Sequence, residues 1–142
     1  MRRRFALSLI LVLACGGCLA DSVDVGAQAA LTSANTTCVM LLHGLGRTPL
    51  SMTTMAQRLE SDGYRVTNLA YPSTDATIEV LTRDYLAPAI ERCYRIDCQT
   101  LHMVSHSLGG ILIRQYLQTD ALPAGSRIVM LSPPNQGSEI AD

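Results

Sequence analysis

The pattern of apolar and polar positions divides the chain into alternating strand-like and helix-like segments. Residues 38–42 form a continuous apolar run, which is typical of a strand covered on both faces of a sheet. Three more segments predict strands: residues 64–70, 101–104 and 127–131. Between the strands, apolar residues recur at helical spacing over residues 52–59, 76–92 and 108–116. This succession predicts an α/β domain with a mostly parallel sheet and helices on both faces.

Two residues mark where the predicted helices end or bend. Gly63 is a stop signal after the first helix. Pro88 falls inside the second helical segment, and we expect it to kink or break that helix because proline has no amide hydrogen to donate.

The N-terminus has the pattern of an export signal. Arg2, Arg3 and Arg4 precede an apolar run over residues 5–14, which is too short to span a membrane, and small residues follow. Residues 1–20 are therefore predicted to be a signal peptide, residues 21–36 a linker, and residues 37–142 the domain. A buried N-terminal helix is the alternative.

The processing of this signal stays open. Residues 18–20 suit ordinary cleavage before Asp21, whereas in a bacterial lipoprotein Cys15 or Cys18 would be lipidated and attach the chain to a membrane. We accordingly expect the protein in the periplasm, outside the cell, or lipid-anchored at the cell envelope.

Composition narrows the functions that the domain can have. Of the 142 residues, 48% are hydrophobic and 16% charged, with a formal net charge of -1, which suits one soluble globular domain with a real core. The charge balance gives no attraction for nucleic acid, and with no Trp and one Phe there is no stacking platform for bases.

The cysteines of an exported domain lie in an oxidising compartment. Cys93 and Cys98 bracket a short connection between helix and strand, so a local disulfide between them is one expectation, with Cys38 left free or competing for a partner. Three buried thiols are the other expectation. No C-x-x-C spacing occurs outside the signal and the histidines do not cluster, so no metal site is predicted.

Residues 105–109 carry the candidate chemistry, Ser105-His106-Ser107-Leu108-Gly109. They follow a predicted strand and open a helix, as in the G-x-S-x-G nucleophile elbow, with serine in place of the first glycine. Ser107 would attack a carbonyl carbon, and the amide of Leu108 would help to hold the oxyanion. The structural alternative is a serine that caps the helix.

A second donor is expected from the turn after the first strand, His43-Gly44-Leu45-Gly46. Glycines let the backbone approach a ligand closely, and Leu45 is the candidate for the second oxyanion amide. The rival interpretation, a phosphate-binding loop, lacks the Lys-Ser/Thr pair of a Walker loop and the spacing of a dinucleotide fingerprint.

The base that should activate Ser107 is missing from the pattern. His43, His102 and His106 all precede the serine, whereas in enzymes with such an elbow an acid and then a histidine follow it. We expect His43 to shape the glycine turn and His102 to be a hydrogen-bonded core residue. The acids after Ser107 are Asp120, Glu139 and Asp142.

Three segments in this order resemble the α/β-hydrolase superfamily, and within it bacterial triacylglycerol lipase-like proteins related to the GPI inositol deacylase group. They are residues 41–47 (LLHGLGR), 104–110 (VSHSLGG) and 131–138 (LSPPNQGS). The resemblance implies that Ser107 is the nucleophile and that Leu45 and Leu108 supply the oxyanion amides. The residues that it implies as lining the site are His43, Gly44, His106, Pro134 and Asn135.

The resemblance also implies ester or lipid substrates with an apolar acyl part, and no cofactor. It predicts an α/β-hydrolase fold truncated after the strand that follows the nucleophile helix, either as a fragment or as a shortened product. The expected function is that of the N-terminal portion of an exported serine carboxyl-ester hydrolase, weakly active at best without its base, so that enzyme status stays open. The alternatives are a non-catalytic remnant that binds an apolar ligand, and acyl transfer to an acceptor other than water.

Overall fold

The structure is a computed structural model that describes residues 36–137. The predicted signal peptide, with Cys15 and Cys18, and nearly all of the linker lie outside the described residues, as do Glu139 and Asp142.

The described residues contain the strands and helices in the predicted order. They are β1 (Thr37–Leu42), a 3-10 turn (Pro49–Met52), α1 (Thr53–Ser61), β2 (Arg65–Leu69), α2 (Ile78–Leu81), a π-helical segment (Thr82–Leu86), α3 (Ala87–Arg95), β3 (Thr100–His106), α4 (Leu108–Tyr116) and β4 (Ile128–Leu131). The largest departure from the predicted strand ends is β3, which continues two residues further, to His106.

The four strands form one parallel sheet in the order β2-β1-β3-β4. Cys38 pairs with Arg65 of β2 and with Leu101 of β3, and β3 pairs with β4 from Met103 and Ile128 onward. Because all four strands are parallel, the loops that follow them lie at the same edge of the sheet. The glycine turn after β1 and Ser107 after β3 are therefore neighbours.

Helices cover both faces of the sheet, as the sequence predicts. On one face Val39 and Leu41 of β1 pack with Met52 and Ala56. On the other face the alternate residues of β1 belong to the larger core cluster, which includes Leu86, Ile90 and Leu112 from the other helices. This double coverage explains why β1 is continuously apolar, and it confirms the α/β architecture.

The helical segment that contains Pro88 runs without a break from Ile78 to Arg95, and a π-helical segment ends two residues before the proline. The carbonyl of Asp84 has no donor at residue 88, because proline carries no amide hydrogen. The amide of Ala87 bonds to the carbonyl of Thr82, five residues earlier, which is the π-helical pattern.

The expectation of a local disulfide between Cys93 and Cys98 is wrong, and so is that of three free thiols. The disulfide joins Cys38 to Cys98, whose Cα atoms are 5.7 Å apart. Cys98 lies just before β3, and β3 pairs with β1, so that Cys38 is brought close across the sheet. Cys93 is a buried free thiol on α3, and its Sγ lies 3.8 Å from Oγ1 of Thr67 on β2.

Loss of this bridge should lower stability measurably. Cys38 and Cys98 are 60 residues apart, so the bond restricts a long loop of the unfolded chain. We expect Cys98→Ser to reduce the free energy of unfolding by about 2–4 kcal/mol, measured by urea denaturation of the oxidised protein. Dithiothreitol should destabilise the wild type and leave Cys98→Ser unchanged, and a wild type that is insensitive to the reductant would contradict the bridge.

β4 lies at the edge of the described sheet. β3 is its only strand partner within residues 36–137. Val129 and Leu131 are 50% and 38% exposed.

No helix in this described part of the chain is long and apolar enough to cross a membrane.

Candidate active site

Ser107 occupies a sharp turn between β3 and α4. Its backbone has φ 50° and ψ -118°, a conformation that is costly for a residue with a Cβ atom. The amide of Ser107 donates to the carbonyl of Leu131 at 2.9 Å, and the carbonyl of Ser107 accepts from the amide of Gly110 at 2.9 Å. Strand, strained serine and helix follow one another as in a nucleophile elbow.

Gly109 allows α4 to approach the end of β1. A Cβ atom on residue 109 would lie 2.7 Å from Cβ of Leu42, 2.9 Å from its carbonyl oxygen and 3.0 Å from the carbonyl oxygen of His43. Only glycine fits this space without movement of the β1 backbone, which gives a physical reason for the last glycine of the motif.

Ser105, which replaces the usual first glycine, is fully buried beneath α4. A Cβ atom on Gly110 would lie 3.3 Å from its Oγ, so the hydroxymethyl group is accommodated partly because residue 110 is itself glycine. Oγ of Ser105 has no hydrogen-bond partner among residues 36–137.

Ser105→Ala is therefore expected to be neutral or stabilising. An unpaired buried hydroxyl costs about 1–3 kcal/mol, and alanine removes it without adding volume. Thermal unfolding should show a melting temperature equal to or above that of the wild type. A marked decrease would mean that the hydroxyl has a partner.

The glycine turn, residues 43–46, contacts the turn that carries Ser107. A Cβ atom on Gly44 would lie 2.8 Å from Nδ1 of His106 and 3.2 Å from Cβ of Ser107. Gly46 has φ 63°, in the left-handed region that favours glycine. The two sequence segments that were predicted to cooperate are thus in direct contact.

Two backbone amides near Ser107 are unengaged. Neither Leu45 N–H nor Leu108 N–H donates a hydrogen bond to any residue of the described range. Leu108 begins α4, where the first amides have no intrahelical acceptor. Oxyanion stabilisation requires free amide donors beside the nucleophile. The roles of Leu45 and Leu108 as these donors stay predictions.

His43 is buried inside the glycine turn. Its ring stacks on that of Tyr71, with centroids 4.1 Å apart and planes at 6°. Its Nδ1 lies 3.0 Å from the carbonyl oxygen of Gly44, and its Nε2 has no partner among the described residues. These contacts support the expectation that His43 shapes the turn.

The other histidines do not hydrogen-bond to Ser107 either. His102 is half-buried, and its Nδ1 accepts from the amide of Arg127 at 3.1 Å, so the expected hydrogen bond is present although the ring is not in the core. The ring of His106 lies against Gly44. Asp120 is exposed and accepts from its neighbour Thr119. The described residues thus hold Ser107 and two free amides, without a base bonded to the serine.

The Pro-Pro-Asn loop after β4 lies beside α4. Pro133 would be 3.3 Å from a Cβ atom on Gly110. Oδ1 of Asn135 accepts a hydrogen bond from the guanidinium of Arg114 on α4. This bond engages the carboxamide oxygen of Asn135. Pro134 is half-buried in the same loop. Their predicted place in the site lining stays a prediction.

Sequence reasoning missed two residues of the loop after β2. The hydroxyl of Tyr71 donates to the carbonyl of His43, and the hydroxyl of Ser73 accepts from the amide of Gly46 at 3.0 Å. Burial raises the pKa of Tyr71, which keeps the phenol a donor at physiological pH. Tyr-Pro-Ser directly follows a strand, so the sequence places this loop at the edge where the glycine turn lies, but nothing in the sequence indicates which of its side chains bond to the turn.

No group of three His, Cys, Asp or Glu side chains within residues 36–137 is arranged to hold a metal ion.

A depression of about 330 Å³ adjoins the glycine turn, lined by Gly46, Arg47, Thr48, Leu50 and Ser51. Leu45 and Leu50 are 36% and 79% exposed. Apolar side chains are thus available to a ligand beside the turn.

Comparisons with known proteins give a match of fold. No protein-family model matches the chain, and no curated protein matches it. A solved structure does, an extracellular alpha/beta-hydrolase from a Paenibacillus species that is described as sharing structural and functional homology with Tobacco Salicylic Acid Binding Protein 2. The two share 21% identity with a TM-score of 0.51, over 68% of this chain and 40% of that one. The chain therefore has the α/β-hydrolase fold and spans less than half the length of that neighbour.

Proposed function

We propose that this chain carries the nucleophile and the oxyanion-binding amides of a serine carboxyl-ester hydrolase of the lipase or esterase type. The observation that carries the proposal is the geometry of Ser107, which is held at positive φ between β3 and α4 against the glycine turn. The unengaged amides of Leu45 and Leu108 support it.

In the proposed reaction, Oγ of Ser107 attacks the carbonyl carbon of an ester and transfers its proton to a base. The amides of Leu45 and Leu108 donate to the oxyanion of the tetrahedral intermediate. The alcohol then leaves, and water hydrolyses the acyl-serine to release the acid. A donor at such an oxyanion contributes roughly 10²–10³ in kcat.

We place the base outside residues 36–137, because no histidine within them hydrogen-bonds to Ser107. In serine hydrolases of known mechanism, a nucleophile without its base and acid retains only a small part of its rate. Ser107 and the amides alone therefore support weak turnover at best.

The substrate class proposed is an ester or lipid with an apolar acyl part. Leu50 lines the depression beside the glycine turn and is 79% exposed, and Leu45 of the turn is itself 36% exposed. The fold neighbour is extracellular, which agrees with an export signal in residues 1–20. Export, and lipid attachment through Cys15 or Cys18 as its variant, are part of the proposal.

The test is hydrolysis of p-nitrophenyl esters with acyl chains of two to twelve carbons by the complete gene product. We expect turnover that depends on Ser107 and favours the longer chains. Saturable binding of the esters without release of p-nitrophenol would contradict the hydrolase proposal and favour the alternative of a ligand-binding remnant.

A further inference from the structure

The loop after β2, residues 71–73, holds the glycine turn at two points. At one end the hydroxyl of Tyr71 donates to the carbonyl of His43, and the two rings stack. At the other end the hydroxyl of Ser73 accepts from the amide of Gly46 at 3.0 Å. Tyr71 and Ser73 are 7% and 6% exposed, so solvent competes little with either bond.

These two contacts lie on either side of Leu45 in the chain. The amide of Arg47 donates to the carbonyl of Gly44 at 3.2 Å and closes the turn. With the amide of Gly46 bonded to Ser73, the amide of Leu45 is the one in residues 45–47 that has no partner within the described range. These bonds therefore leave the amide of Leu45 as the single free donor of residues 45–47.

A free amide stabilises an oxyanion only if its direction is fixed before the reaction, since a donor that must reorient loses its advantage over water. Glycines at positions 44 and 46 leave the turn little stiffness of its own. The bonds to Tyr71 and Ser73 span 28 and 27 residues, and they tie the turn to the end of a neighbouring strand. They supply the rigidity that the glycines lack.

We propose that Tyr71 and Ser73 are positioning residues that fix the His43–Gly46 turn so that the amide of Leu45 points at the oxyanion formed at Ser107. This inference rests on the proposed function. The two side chains do not touch the substrate, and they act on the rate through the glycine turn.

The experiment compares Tyr71→Phe and Ser73→Ala with the wild-type complete gene product in steady-state ester hydrolysis. Phenylalanine keeps the ring that stacks on His43 and removes only the hydroxyl. We expect kcat to fall about tenfold with KM unchanged, because the misdirected donor acts in the transition state and not on the bound ester. Affinity for an alkylboronic acid, whose tetrahedral adduct places an oxygen at the oxyanion position, should fall by a similar factor.

Matched variants separate positioning from packing. Ser73→Thr keeps a hydroxyl at position 73 and should restore most of the loss seen in Ser73→Ala. Tyr64→Phe removes the hydroxyl of a tyrosine that is 37% exposed, and should leave kcat unchanged. All rates are measured well below the melting temperature of each variant, so that a loss of stability alone does not lower them.

The inference is overturned if Tyr71→Phe and Ser73→Ala keep kcat and boronic acid affinity within twofold of the wild type, whatever their melting temperatures. A rise in KM at constant kcat would overturn it as well. Failure of the proposed function looks different, since the wild type itself would then show no turnover dependent on Ser107.

Discussion

Ser107→Ala in the complete gene product should lower kcat for ester hydrolysis by about 10³–10⁶-fold, the largest effect of the substitutions proposed. Alanine has no atom that can form the acyl bond, so only stabilisation of a water-driven reaction by the amides of Leu45 and Leu108 remains. The hydroxyl of Ser107 makes no hydrogen bond within residues 36–137, and alanine accepts the same backbone conformation at the same cost. The melting temperature should therefore change little.

The matched control for this variant is Ser61→Ala. Ser61 ends α1 on the exposed surface, where its hydroxyl donates to the carbonyl of Arg58 at 2.7 Å. Its removal should leave kcat at the wild-type value. Ester hydrolysis by Ser107→Ala at the full wild-type rate would show that another residue is the nucleophile.

Gly109→Ala should destabilise the protein and also reduce turnover. The new Cβ atom would meet Leu42 at 2.7 Å and two backbone carbonyl oxygens at 2.9 and 3.0 Å, and backbone yields less readily than a flexible side chain. Overpacking of this kind costs about 1–3 kcal/mol, against roughly 1 kcal/mol gained from the higher helix propensity of alanine. Relief requires α4 to move away from β1, which also moves Ser107 away from the glycine turn.

Gly110→Ala is the control on the same helix. Its Cβ atom would lie 3.3 Å from Cβ of Pro133 and from Oγ of Ser105, so these contacts are looser than those at Gly109 and none of them is to backbone. We expect Gly110→Ala to change the free energy of unfolding by less than about 1 kcal/mol, since crowding and helix propensity offset each other. Equal losses in urea denaturation of the two variants would show that the approach of α4 to β1 does not depend on Gly109.

The sequence predicts the order of strands and helices because each segment has a local signal. The continuous apolar run of β1 indicates that the strand is covered on both faces. Pro88 indicates an irregular helix because proline has no amide hydrogen to donate. Ser107 and the glycine turn each have a local signal as well. Their closeness could be predicted because parallel strands place the loops that follow them at one edge of the sheet.

The disulfide and the loop after β2 were not predictable in this way. Sequence proximity favours a bond between Cys93 and Cys98, but the pairing of β1 with β3 places Cys38 beside Cys98. Likewise, the bonds of Tyr71 and Ser73 join positions 28 and 27 residues apart. Such contacts depend on how strands pair, which a single sequence does not encode locally.

Covalent capture of the serine tests the central claim most directly. The complete gene product is treated with an alkyl fluorophosphonate, and the adduct is located by peptide mass spectrometry, with Ser107→Ala and Ser105→Ala in parallel. We expect one phosphonylated residue, Ser107, in the wild type and in Ser105→Ala, and none in Ser107→Ala. Unmodified Ser107 under conditions that label another serine hydrolase, or an adduct that persists in Ser107→Ala, would contradict the assignment of Ser107 as the nucleophile.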